Sequence, residues 1–127
     1  MNVALAALMA AHIADHALRQ HDGELTGAAA VPGLLGAVAV FASLALTLRR
    51  HPRARVFAAV VGISTAIGFV AVHLLPKWGA LSDPYADRHL DALSWAGMIA
   101  TLVAAALLAA VALAASRPWE RGERRSA

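Results

Sequence analysis

Cysteine is absent from this chain of 127 residues. Disulfides, thiolate metal sites, cysteine nucleophiles and covalently attached c-type haem are therefore excluded. Charge is also scarce: Asp, Glu, Lys and Arg make up 15% of the residues and apolar side chains 60%, against roughly 25% and 45–50% in ordinary soluble domains. The missing charges leave gaps. No Asp, Glu, Lys or Arg occurs in 25–48, 56–76 or 92–116, runs of 24, 21 and 25 residues. Each exceeds the roughly 20 residues with which an α-helix crosses a bilayer, and none offers the polar face of a soluble amphipathic helix. A phosphate-cradling glycine loop, a G-x-S-x-G elbow and a basic surface interleaved with aromatics are all missing. A net charge of +3 thus points to membrane topology rather than to nucleic acid, which is not an expected partner.

What is present reads as an all-α integral membrane four-helix bundle of up-down topology. Spans are expected at about 2–19, 30–48, 56–75 and 90–115, within one membrane domain over 1–116. A short basic tail, 117–127, follows. No basic residue precedes Arg19, so the first run lacks the basic start of a secretory leader and is expected to remain as a helix. Pro32 suits the first turn of span two, and Pro76 stops span three. Ser82-Asp83-Pro84 has the form of a helix start, with Asp83 as the cap, so the helix of span four is expected to begin near Pro84, outside the hydrocarbon.

Basic residues set the direction. Arg49, Arg50, Arg53 and Arg55 lie between spans two and three, and Arg117, Arg121, Arg124 and Arg125 lie in the tail; only Arg19, Lys77 and Arg88 fall on the other side. This asymmetry predicts that both termini are cytoplasmic. Trp119 on the inner side, and Trp78 and Tyr85 on the outer side, take interfacial positions. An Arg-rich, Lys-poor and Ala-rich composition suits a high-GC bacterial genome, hence an inner (plasma) membrane. The expected partners are membrane lipid and a membrane-protein partner or a second copy of the chain.

With that direction, five of six histidines fall at the outer end, His51 being the exception. His12, Asp15 and His16 are spaced i, i+3 and i+4, one stripe of one helix face. Two imidazoles one turn apart can share a metal ion, and an aspartate on that stripe can be a ligand or fix an imidazole tautomer. His16 and His73 each lie three residues inside their span ends, about 4.5 Å deep. His73 and Asp91, from spans three and four, could therefore complete a set of His12, His16, His73, Asp15 and Asp91. Nitrogen and oxygen donors suit Zn, Fe, Mn or Cu(II). Ionisable groups inside a span are functional by default, and this one suits metal binding or proton relay, with catalysis on a membrane-dissolved substrate as an extension. A b-type haem held by His16 and His73 is a further candidate.

Plainer readings stand beside these. Arg19, four residues after Asp15, suits an ion pair; Asp91 could pair locally with Arg88; His73 could be an interfacial histidine beside Lys77 and Trp78. Gly33, Gly36 and Ala37 in span two, and Gly62 and Ala66 in span three, form small-residue surfaces suited to close helix contact. Ser43, Thr47, Ser64 and Thr65 can bond back to their own helices. Alanine-rich helices leave little expected room for a substrate cavity. That favours the alternative of a non-catalytic interaction subunit of a larger membrane complex.

Overall fold

The computed structural model describes residues 1–20 and 30–116. Residues His21, Asp22 and Glu24, and the basic tail with Trp119, lie outside the described residues. Among the described residues, four α-helices make up the fold: α1 (Asn2–Leu18), α2 (Ala30–Leu48), α3 (Ala54–Phe69) and α4 (Ala92–Ser116). Three apolar stretches, Ala30–Leu48, Ala54–Leu74 and Ala92–Ser116, are long and apolar enough to cross a membrane. With 17 residues, α1 stands at the lower limit of spanning length.

The core follows a seam of alternating three- and four-residue steps, the period of left-handed helix packing. On α4 the seam is Ser94, Met98, Thr101, Ala105, Leu108 and Ala112; on α3 it is Ala58, Gly62, Thr65 and Phe69. Leu5, Met9 and His12 continue the pattern on α1. Large apolar side chains such as Val60, Ile67, Leu93 and Leu107 point outward, as a lipid-facing surface requires.

The closest helix contact is between α3 and α4. A β-carbon on Gly62 would stand 2.7 Å from both the Ala105 carbonyl oxygen and the Ala109 nitrogen, so backbone lies on backbone there. Gly33 and Gly36 do the opposite of what their composition suggests: nothing lies within 4 Å of a β-carbon at either position. At Gly33 and Gly36 the amino-terminal half of α2 stands away from its neighbours, while Ala37 in the same half is buried in the core. Its other half is held to α1 by a polar clasp, in which Asn2 Nδ2 donates to Thr47 Oγ1 at 2.7 Å and Ser43 Oγ donates to Asn2 Oδ1 at 2.9 Å. Ser43 thus reaches across to α1 rather than back to its own helix, while Thr47 and Ser64 do bond back, to Ser43 O and Val60 O.

The end of α3 widens. Val70–Leu74 form a π-helical turn, closed by the Leu75 N–H on Val70 O, and Leu75 then turns extended ahead of Pro76, as the residue before a proline tends to. Two carbonyls of this turn find partners in the following connection: Trp78 Nε1 donates to Ala71 O at 2.6 Å, and the Asp83 N–H donates to Val72 O at 2.8 Å.

The start of α4 differs from the expectation. Pro84 opens only a single 3-10 turn, Tyr85–Asp87, which has no side-chain cap, and Arg88 is again extended. The helix begins at Ala92, where Asp91 Oδ1 accepts from the N–H groups of Leu93 and Ser94 at 3.1 and 3.0 Å. Asp91 therefore supplies the cap that was expected of Asp83. Asp83 instead pairs with Arg88 at 2.6 Å.

Candidate metal centre

His12 and His16 reach the bundle interior because their stripe extends the Leu5–Met9 seam of α1. His73 reaches it through the π turn. At 3.6 residues per turn the inward position after Phe69 would be Val72; the wider turn makes it His73, which is buried while Val72 is only half-buried. His12 and His73 are each 8% exposed, and His16 is half-buried. One ligand atom from each of the three imidazoles lies within 4.8 Å of the other two. The ring centroids are 4.6 Å apart for His12–His16, 5.3 Å for His12–His73 and 5.6 Å for His16–His73. A tetrahedral ion with bonds of 2.0–2.1 Å needs nitrogens about 3.3 Å apart, so side-chain rotation of an ångström or so would close this set on an ion.

Hydrogen bonds around the cluster prepare it for that use. Nδ1 of His73 lies 3.1 Å from the Asp83 carbonyl oxygen. A carbonyl only accepts, so Nδ1 carries the proton and Nε2 presents its lone pair, an arrangement common to metal-binding histidines. The Tyr85 hydroxyl sits 3.2 Å from His16 Nε2 and 3.5 Å from His12 Nδ1. Burial pushes the Tyr85 phenol up to about 12, so it remains an O–H donor. Phe69 closes the inner side, 4.8 Å from the His12 ring and 5.4 Å from that of His73.

Asp15 and Asp91 stand together elsewhere. Arg19 bridges them, donating to Asp15 Oδ1 at 2.9 Å and also to Asp91 Oδ2. Asp91 thus pairs with Arg19 on α1 and not with its neighbour Arg88. The Ser94 N–H and then the Arg19 guanidinium hold its carboxyl below the ordinary carboxylate range. Asp15 touches the cluster at one remove: Gln20 Nε2 donates to Asp15 Oδ2 at 2.7 Å and to the Tyr85 hydroxyl at 3.4 Å.

Tyr85 is the residue that sequence reasoning missed. Read as an interfacial aromatic, it is instead fully buried, with its ring 4.8 Å from His73 and 5.5 Å from Trp95, edge to face with the latter. No spacing in the connection marks it, because the back-folding that places it depends on the Asp83–Val72 and Asp83–Arg88 contacts. The rings of His12 and Tyr85 also stand 4.6–6.0 Å from those of both His16 and His73, crowding the gap that a porphyrin between the latter two would occupy.

The imidazoles open onto a cavity of about 530 Å³ between α1, α2 and α3, walled largely by apolar side chains. The expectation of little room is thereby corrected: the stand-off of α2 at Gly33 and Gly36 makes the space. Comparison with family models, curated proteins and solved structures gives no match.

Proposed function

We propose that this chain is a multi-pass protein of the bacterial inner membrane that binds a transition metal through His12, His16 and His73 near the extracytoplasmic face. The observation that carries this reading is the convergence of three imidazole ligand atoms within 4.8 Å in a mostly buried site. Three neutral nitrogen donors favour Zn, Cu(II) or Fe over harder ions. They also leave a fourth position for water or a substrate oxygen, as catalytic sites do. Eight of eleven basic residues on one side support an up-down bundle with both termini in the cytoplasm. Asp15 serves from outside the ligand set, through Gln20 and Tyr85.

The test is elemental analysis of the purified full chain. One metal per chain is expected, and His16→Ala and His73→Ala should each reduce it. The double variant should cost less than the sum of the two, since shared ligands couple. His51→Ala, at the opposite end, should change nothing. Proton relay is the second reading, favoured by the Tyr85 hydroxyl standing between two imidazoles. An intact protein that takes up no metal would leave that reading, or the interaction subunit, as the better account.

A further inference from the structure

The cavity beside the cluster is elongated along the helices. Its lining on α2 runs from Ala30 to Ala39 and on α3 from Ser64 to His73, roughly 13 Å at 1.5 Å per residue. One end holds the three imidazoles; the other is bounded by Gly36, Ala39 and Gly68 with Ser64 and Thr65, the Ser64 hydroxyl being returned to Val60 O of its own helix. The ionisable end lies at the ends of α1 and α3, and the end without ionisable side chains lies at mid-helix. In a bilayer that gradient runs the same way as the leaflet itself, headgroup to acyl chain.

Charge narrows the occupant. No Lys or Arg is among the described residues that line the cavity, and the lining carboxylate, Asp83, is engaged by Arg88. A divalent ion on three neutral imidazoles would keep its full charge in surroundings of low dielectric, where an anionic ligand is strongly favoured. We infer that the cavity takes a single-chain carboxylate amphiphile, a fatty acid by chemistry, with its carboxylate on the metal and its tail along Gly36 and Gly68. This rests on the metal-binding reading above. Lipid tails are as apolar as leucine, so moving the ligand's tail from bilayer to cavity contributes little. Affinity then comes from the head, and selection from the shape of the channel.

The two glycines make the test specific. Both are half-buried, both line the cavity, and nothing lies within 4 Å of a β-carbon at either position. A leucine there has open space at its β-carbon and would project into the channel. The full chain in detergent, loaded with Co(II), would be titrated with palmitate while its ligand-field absorption is followed. Palmitate is expected to change the spectrum, whereas methyl palmitate and acetate at the same concentration are not. Gly36→Leu and Gly68→Leu should bind Co(II) with the wild-type spectrum, yet need about tenfold more palmitate or beyond, the scale of an overpacked site. Failure of the wild type to bind Co(II) stoichiometrically would remove the metal reading and this inference together. Bound Co(II) that ignores palmitate, responds equally to acetate, or responds alike in wild type and both glycine variants would overturn the inference and leave the metal site standing.

Discussion

Glycine and alanine serve opposite ends on the two sides of this bundle. Between α3 and α4, Gly62 lets backbone meet backbone, and the small residues close the interface. On the α2 side, Gly33, Gly36 and Gly68 face nothing within 4 Å, and the same residue types hold a space open beside the imidazoles. One side is built for cohesion and the other for chemistry. The same small residue is a packing device where a neighbour approaches and a cavity wall where none does, so composition alone does not tell which it will be.

The division can be broken by substitutions that act on one side only. The largest effect is expected from His73→Ala, which should lower metal affinity by more than the roughly 100-fold upper range for loss of a supporting partner, as read by competition with a chelator. Next comes Gly62→Val. Its side chain would have to push apart the α3 and α4 backbones, at about 1–3 kcal/mol in reversible unfolding, with metal stoichiometry unchanged. Gly36→Ala should do the reverse, leaving stability unchanged or raising it by up to about 1 kcal/mol through helix propensity. Equal losses from Gly62→Val and Gly36→Ala would end the distinction between the two sides.

Tyr85→Phe should be milder, lowering metal affinity by about tenfold while preserving the fold, because only the hydroxyl between His12 and His16 is removed. The smallest effect is expected from Asp91→Ala, which removes the α4 cap and one arm of the Arg19 bridge at an exposed position. Asp91→Asn, able still to cap, should fall between wild type and the alanine variant. The Asp91 carboxyl is held below its ordinary value of 3.8, so its contribution is present above that pH and fades as pH falls through the lower, folded value. The deficit of Asp91→Ala in thermal unfolding should accordingly disappear in acid.

Much of this was legible in the residue order. Uncharged runs bounded by arginine and proline mark the helices, and the His12–His16 spacing with the matching depth of His73 marks the cluster. The carboxylates were less legible. Arg19 suits a pair with Asp15 at i+4, but its reach to Asp91 spans 72 positions and depends on α1 lying beside α4. The start of α4 was misplaced because Ser82-Asp83-Pro84 has the form of a cap, whereas the choice of Asp91 is made by the extended backbone at Arg88. Tyr85 carried no signal, since its burial is a property of how the connection folds back and not of any local pattern. The cavity was missed because small side chains in a sequence do not say whether a neighbour fills the room they leave.

The π turn at Val70–Leu74 bears on how this chain tolerates changes in length. A π turn is an α-helix carrying one residue more than its period needs. Removing one residue from Ala71–Val72 lets the segment relax to an ordinary helix, and His73 then falls three positions after Phe69, still facing inward. Removing a residue from the α3 seam between Ala58 and Phe69 has no such slack to draw on. It would turn every later position by about 100° and carry the imidazole off the cluster. The widened turn thus makes the end of α3 the one described part of that helix where a codon can be lost without losing the alignment of the histidines.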